Sequence, residues 1–346
     1  MIDFTPAGEP LGHSAPLDQR ARLPLLGLPL EIRSNSAAVI AAAERSFGHW
    51  RGLEPELIEA TEPLIVTIVV HPPAGSHAAQ AARRLLKLNT QHSTPNTQFT
   101  QRAHGSCFLA ASGANLLTAQ MDRGVALGFV TPELVADDLA LRYHVIECLA
   151  LLLASWRDRT PVHAGAVVHA GRAVLLVGTS TAGKSTLCYA CLRAGLQLLA
   201  EDVVYVGLRG GLRLWGNPRS IHLLPDARRL FPELADCTPE IQANGKRKLA
   251  IDVAAFGADR VRRYADRAAV CLIQRHAGQA SAIEPIDPQD AADAIARQRE
   301  AGFDLHQGAP AVAAALSERG AYRLHLGRAL DQAVALLRQL AAAHEE

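Results

Sequence analysis

The sequence is poor in aromatic residues, which make up 5% of its 346 positions, and it holds only six cysteines. Few aromatic side chains argue against a stacking platform for single-stranded nucleic acid. Its charges nearly cancel, because 35 Lys and Arg residues stand against 34 Asp and Glu, so no global field attracts nucleic acid or an anionic membrane. Six scattered cysteines in a chain of this length fit reduced, mostly buried thiols better than a disulfide framework.

Long hydrophobic runs are also missing. The longest apolar stretch, residues 145–156, is interrupted by Glu147 and is too short to span a bilayer. The first four residues lack the basic and apolar regions of a secretion signal. These absences predict a cytoplasmic protein with no membrane partner, and 49% hydrophobic residues suffice for two folded domains.

We expect a loose leader at residues 1–22, an α+β domain at 23–156 and a nucleotide-binding domain at 157–346. Thr131 and Pro132 are typical of a helix start, and apolar positions continue to Trp156, so the sequence predicts one long helix joining the two halves. The other main expectations are strands at 28–32, 63–70 and 163–169, a helix at 36–47, and a loop or mobile flap at 89–102.

A complete phosphate-binding loop follows the apolar strand at residues 174–177 and precedes a helix that stops near Gly195. The nucleotide-binding candidates are Gly178, Thr179, Ser180, Thr181, Ala182, Gly183, Lys184, Ser185 and Thr186. The glycines let the backbone amides point at phosphate, Lys184 neutralises the β- and γ-oxygens, and the Ser185 hydroxyl ligates Mg²⁺. The pattern therefore predicts ATP or GTP, together with Mg²⁺.

Two neighbouring carboxylates, Glu201 and Asp202, end the apolar strand after that helix, at the sheet edge where ligands collect. One of them can hold Mg²⁺ with Ser185, and the other can accept a proton from a hydroxyl nucleophile. A close pair of like charges tends to raise the pKa of one member toward the range of a useful base. The alternative is a single metal-binding Asp beside an incidental Glu.

Residues 162–168, 178–186 and 194–204 together resemble the catalytic core of bacterial HPr kinase/phosphorylase. In that family a histidine opens the strand before the phosphate loop, and an Asp-Asp pair ends the strand after its helix. The resemblance implies an α/β fold with an HPr kinase/phosphoenolpyruvate carboxykinase-like P-loop domain. It also implies a serine kinase in which Lys184 and Ser185 serve nucleotide and metal, Glu201 and Asp202 serve metal and nucleophile, and His163 supports the second carboxylate.

The sequence departs from that family in two places. Its first acid is Glu201 instead of Asp, and the glycine-rich signature that helps the bifunctional enzymes bind their protein substrate is missing. HPr is therefore not the expected substrate, and the reverse phosphorylase reaction is not expected. The nearer likeness is to HPr-kinase-related proteins, which carry a different N-terminal domain.

The densest positive run, residues 245–248, is either a solvated turn or a clamp on the triphosphate or an acidic substrate, with Lys246 as its candidate. Arg219 is a weaker candidate of the same kind. His104 and His222 have no partner visible in the sequence and are interpreted as structural residues. Cys188 and Cys191, which share one helix, are interpreted as residues that pack in the core and not as redox or zinc-binding groups.

The function predicted from these residues is a kinase that transfers the γ-phosphoryl group to a hydroxyl on a peptide, a carrier protein or a metabolite. Asp202 would orient or deprotonate the acceptor, and the N-terminal half would select it. The alternatives are a regulatory NTPase or nucleotide-gated binding protein without an acceptor, and phosphoenolpyruvate carboxykinase-like chemistry, which generally needs a longer chain with more arginines. The acceptor, the base preference and a homo-oligomeric state stay open.

Overall fold

The computed structural model describes residues 16–70, 99–113, 115–242, 245–298 and 308–343. The chain divides into two compact units, Met1–Arg157 and Asp158–Glu346. Residues 1–15 of the predicted leader lie outside the described residues. The first strand begins at Gln19, so residues 19–22 belong to a sheet and not to a loose leader.

The first unit is built on one mixed sheet of seven strands, in the order β1-β2-β3-β7-β6-β5-β4. Its strands are β1 (Gln19–Leu25), β2 (Leu28–Ser34), β3 (Leu64–Val70), β4 (Thr100–His104), β5 (Cys107–Ser112), β6 (Asn115–Gln120) and β7 (Val125–Val130). Helix α1 (Ala37–Phe47) connects β2 to β3, which run parallel, and β7 continues the parallel set. The remaining neighbours pair antiparallel.

The long helix predicted from Thr131 to Trp156 is wrong as a single element. The chain instead forms α2 (Pro132–Ala136), α3 (Asp138–Ala140), a π-helical stretch (Leu141–Glu147) and α4 (Cys148–Ser155). Asp137 causes the first break, because its backbone is extended and its side chain accepts a hydrogen bond from Ala140 N at 3.0 Å, which restarts the helix. A short polar side chain that caps a helix competes with continuing it.

The predicted loop at residues 89–102 needs a similar correction. Residues 89–98 lie outside the described residues, but β4 begins at Thr100 and pairs with β5. The strand is at the sheet edge, and its residues from Arg102 to His104 are exposed. An edge strand that is exposed to solvent on both faces has no alternation of apolar and polar residues, so the sequence did not predict it.

The second unit contains thirteen strands in three sheets and four α-helices. The strands are β8 (Thr160–His163), β9 (Gly165–His169), β10 (Arg172–Val177), β11 (Gln197–Ala200), β12 (Val203–Gly207), β13 (Arg213–Gly216), β14 (Ser220–Leu223), β15 (Glu240–Ile241), β16 (Arg247–Asp252), β17 (Tyr264–Ala265), β18 (Arg267–Arg275), β19 (Ala282–Pro285) and β20 (Ala321–Leu326). The helices are α5 (Lys184–Arg193), α6 (Pro288–Arg297), α7 (Ala309–Ser317) and α8 (Leu330–Ala342). These numbers refer to the described residues.

The main sheet has the order β11-β9-β10-β18-β20-β19, and the other two are β17-β13-β12-β8 and β14-β16-β15. Strand β10 runs parallel to β18, which runs parallel to β20. Because β9 pairs antiparallel with both β10 and β11, the last two strands point the same way. The carboxyl ends of β10 and β11 therefore meet at one edge of the sheet.

Strand β10 is buried on both faces, as its unbroken apolar run requires. Val174 and Leu176 pack in a cluster with Leu187 of α5 and Leu337 of α8. Leu175 and Val177 point to the opposite face and pack with residues of α6, α7 and the β17-β13-β12-β8 sheet. This two-sided burial anchors the segment that follows β10.

The prediction of a single strand at residues 163–169 is wrong. The chain leaves β8 at His163, passes Ala164, and enters β9 at Gly165 in a different sheet. His163 thus ends β8, where it is paired opposite Val203, the first residue of β12. The crossing between sheets places this histidine beside the residue that precedes Val203, which is Asp202.

Gly216 shows how closely the sheets approach near this edge. A Cβ added at this position would overlap the carbonyl oxygen of Leu199, the residue before Ala200 in β11. We expect Gly216→Ala to destabilise the second unit by about 1–3 kcal/mol, because a rigid main chain must move. Thermal unfolding followed by circular dichroism measures this, with Gly52→Ala, whose Cβ would meet no atom within 4 Å, as the control. An unchanged melting temperature for Gly216→Ala would contradict the prediction.

In the part of the chain that the structure describes, none of the helices has the length and apolar character needed to cross a membrane.

Candidate active site

The segment between β10 and α5, residues 178–183, is a tightly curled turn, called the glycine-rich loop below. Thr181 and Gly183 both have left-handed backbone conformations, with φ of 71° and 105°. Ala182 N closes the turn by donating to Thr179 O at 3.0 Å. Gly183 then occupies the N-cap of α5, so the positive end of that helix faces the loop.

Lys184 is the first residue of α5 and is buried, although it carries a charge. Its Nζ donates to Gly178 O at 2.6 Å and lies 3.4 Å from Thr179 O. A buried ammonium needs such partners, because desolvating an unpaired charge is costly. The carbonyl groups of Gly178 and Thr179 therefore keep the Lys184 ammonium at the glycine-rich loop.

Two side chains from other elements brace the glycine-rich loop. Gly178 N donates to Gln298 Oε1 at 3.1 Å, just after α6, and Arg275 Nε at the end of β18 donates to Ala182 O at 3.1 Å. Sequence reasoning missed both. Neither residue stands in a recognisable motif, and each reaches the loop only because the parallel strands and α6 end near it.

The acidic pair follows β11 at the same sheet edge, and its two members have different surroundings. Glu201 has a side chain only 11% exposed, and its Oε1 accepts a hydrogen bond from Ser185 Oγ at 2.5 Å. The structure therefore brings Ser185 and Glu201 together, a hydroxyl and a carboxylate of the kind that Mg²⁺ prefers. Asp202, by contrast, is 52% exposed.

The raised pKa expected from a close carboxylate pair does not occur at Glu201. Burial raises the pKa of Glu201, but hydrogen bonds from His222 and Ser185, with the positive charge of Lys248, outweigh burial and lower this pKa below its usual value. Glu201 is therefore an anion at neutral pH. An ionised carboxylate is suited to a cation and unsuited to act as the base of a pair that shares one proton.

Asp202 lies next to a different histidine. His163 Nδ1 is 3.5 Å from Asp202 Oδ1, and the His163 side chain is only 11% exposed. The antiparallel pairing of β8 with β12 sets this contact, since it aligns His163 with Val203. The imidazole thus lies beside one oxygen of a carboxylate side chain that is about half exposed.

His222, interpreted from the sequence as structural, contacts the acidic pair. Its Nδ1 is 3.4 Å from Glu201 Oε2, and its Nε2 is 3.3 Å from Ser220 Oγ. Alternation along β14 puts Ser220 and His222 on one face, while Ile221 and Leu223 pack in the core on the other. The alternation was readable from the sequence, but the neighbour of that face was not.

The remaining candidates have varied places. Thr179, Ser180 and Thr181 are exposed on the loop, and Thr186 lies in the first turn of α5. Arg219 lies in the turn before β14, where its carbonyl accepts from Val253 N at 3.0 Å. Lys246 is exposed before β16, and its carbonyl accepts from Gln242 N at 2.9 Å. Nucleotide binding by all these side chains stays a prediction.

The cysteine pair in α5 is structural. Cys188 and Cys191 are fully buried in the core cluster beneath the loop, and burial raises the pKa of the Cys191 thiol to about 12. This confirms their interpretation as core residues. Among the described residues, no group of three or more His, Cys, Asp and Glu side chains is arranged to hold a metal.

The described elements define a mixed α/β protein with several sheets. No protein-family model and no curated protein matches the sequence. Among solved structures, the chain is similar to the HPr(Ser) kinase/phosphatase from Coxiella burnetii, with 16% sequence identity, a TM-score of 0.29, and coverage of 52% of this chain and 96% of that chain. A match this weak suggests at most a distant relation, so the chemistry of the site has to follow from its own residues.

Proposed function

We propose that this chain is a kinase that transfers the γ-phosphoryl group of ATP or GTP to a hydroxyl of a peptide, a protein or a small molecule. One observation carries the proposal: the glycine-rich loop with Lys184, the Ser185–Glu201 contact and the exposed Asp202 supported by His163 meet at one sheet edge. This set contains a cation for phosphate, oxygen ligands for a metal, and a separate accessible carboxylate.

The nucleotide would bind through the amides of residues 178–186 and through Lys184, whose Nζ would exchange the carbonyls of Gly178 and Thr179 for phosphate oxygens. Arg275 and Gln298 would keep the loop curled, because each holds one of its backbone groups. Arg219 and Lys246 are proposed as further contacts to the triphosphate. Positioning and charge neutralisation are the main sources of rate in phosphoryl transfer.

The donor set at Ser185 and Glu201 fits Mg²⁺. A nucleotide-bound Mg²⁺ takes few protein ligands and completes its shell with phosphate oxygens and water, so a cage of three protein ligands is not required. When bound, the ion would neutralise charge on the β- and γ-phosphates. Glu201 suits this role because it is already ionised.

Asp202 would act on the acceptor. The acceptor oxygen attacks the γ-phosphorus, a new P–O bond forms, and the bond from the γ-phosphorus to the bridging oxygen breaks, leaving the nucleoside diphosphate with the electron pair. The hydroxyl proton passes to Asp202. His163, 3.5 Å from Asp202 Oδ1, would orient the carboxylate for this step. Selection of the acceptor by the first unit stays a prediction.

Transfer to a hydroxyl can be tested without knowing the natural acceptor. The purified protein is incubated with γ-labelled ATP or GTP, Mg²⁺ and a pool of serine-containing peptides, with a matched pool in which alanine replaces every serine. Label in the serine pool and not in the alanine pool supports the kinase. Equal, fast phosphate release in both pools, with no labelled peptide, contradicts it and identifies a nucleotide hydrolase.

A further inference from the structure

The two acidic residues of the site lie beside two different histidines, and this separation suggests separate roles. His163 contacts Asp202, whereas His222 contacts Glu201. The side chains of Glu201 and His222 are 11% and 20% exposed, so this contact is shielded from solvent, while Asp202 is 52% exposed. Shielding from water strengthens an electrostatic contact, because the effective dielectric constant around it is lower.

The contact around His222 is part of a continuous chain of four side chains. Ser220 Oγ lies 3.3 Å from His222 Nε2, His222 Nδ1 lies 3.4 Å from Glu201 Oε2, and Ser185 Oγ donates to Glu201 Oε1 at 2.5 Å. Each oxygen of the Glu201 carboxylate therefore has its own partner. A carboxylate held at both oxygens has little freedom to turn toward another site.

The hydrogen-bond directions in this chain follow from the charges. An ionised Glu201 can only accept, so His222 Nδ1 carries the hydrogen that points to Glu201 Oε2. This arrangement matches the common support of a metal-binding group by a hydrogen bond from a second side chain. The strand β14 positions both residues, because Ile221 and Leu223 anchor its opposite face in the core.

We propose that His222 is a positioning residue that holds Glu201 on Ser185 and thereby commits this carboxylate to the divalent cation. Asp202 is then left for the acceptor. The inference rests on the proposed nucleotide site and adds which of its two carboxylates serves the cation and which serves the acceptor. It also accounts for the Glu at position 201, since the longer side chain can reach Ser185 and His222 at once.

The expected consequence is specific to the cation. Loss of such a supporting contact typically weakens metal affinity about 10- to 100-fold. His222→Ala should therefore reduce the gain in nucleotide affinity that Mn²⁺ provides by about tenfold or more. Affinity in EDTA should stay unchanged, because Lys184 and the loop amides hold the nucleotide without a metal. His222→Asn should restore part of the gain, since its amide N–H can replace Nδ1.

The measurement uses mant-AMP-PNP, a fluorescent ATP analogue that is not hydrolysed. Its dissociation constant is determined in EDTA and in saturating Mn²⁺. The constant in EDTA divided by the constant in Mn²⁺ gives the contribution of the metal to affinity. His325→Ala is the matched control, because this histidine lies on β20 and contacts Glu284 of the edge strand β19, at the other end of the main sheet.

The outcomes distinguish a failure of this inference from a failure of the proposed kinase function. A smaller ratio for His222→Ala with partial recovery in His222→Asn supports the role of His222. A ratio equal to that of the wild type overturns that role and leaves the kinase proposal standing. If the wild type binds mant-AMP-PNP neither in EDTA nor in Mn²⁺, the nucleotide site itself is refuted.

Discussion

Lys184→Met should lower phosphoryl transfer on the order of a hundredfold or more, by loss of one preorganised charge partner of the transferred group. Methionine keeps most of the length and the apolar stem of lysine but removes the ammonium that lies 2.6 Å from Gly178 O. Nucleotide affinity should fall as well, since the β- and γ-oxygens lose their counter-charge. Single-turnover transfer from γ-labelled ATP and mant-AMP-PNP binding measure the two effects.

Lys184→Arg is the informative companion. It retains the charge but replaces a compact ammonium with a larger planar group in a buried position, so intermediate activity is expected. Melting temperatures of all three proteins show whether the fold survives. Transfer at the wild-type rate by a folded Lys184→Met protein would refute the assignment of the glycine-rich loop to phosphate.

Asp202→Asn should slow transfer about 100- to 10,000-fold, the range typical of losing a general base, while nucleotide affinity stays near that of the wild type. The amide has the shape of the carboxylate but does not accept the hydroxyl proton. Asp202 is half exposed, so the substitution has little effect on folding. Single-turnover transfer to the serine peptide pool, with nucleotide binding measured in parallel, tests both parts.

Two other variants control this experiment. Asp226→Asn changes an equally charged and exposed residue in the 3-10 turn Pro225–Arg229 and should leave transfer unchanged. Glu201→Gln should instead change the dependence on Mg²⁺ concentration, because Glu201 is the carboxylate in contact with Ser185. If Asp202→Asn transfers phosphate normally, or only shifts the Mg²⁺ requirement, Asp202 is not the base.

Local patterns predicted the segment around the glycine-rich loop best. The apolar run at residues 174–177, the glycines after it and the periodicity of α5 agree with β10, the curled loop and the helix that the structure contains. Strands β1, β4 and β6 of the first unit were not predicted, and neither were β8, β15, β16, β17 and β19 of the second. Six of these eight strands lie at a sheet edge. Ala164 marks a break that is decided by other elements, because β8 and β9 pair in different sheets. The break at Asp137 is local, since Asp137 caps the next helix by accepting from Ala140 N.

Within the site, the sequence alone determined which residue types are available: a lysine and a serine after a glycine-rich turn, and two adjacent acids at the end of a strand. The tertiary structure decided how they are paired. It placed Ser185 and His222 on Glu201, set His163 beside Asp202, and brought Arg275 and Gln298 to the loop. Those pairings depend on strand order and register across three sheets, and contacts between residues distant in the chain leave no local pattern in a single sequence.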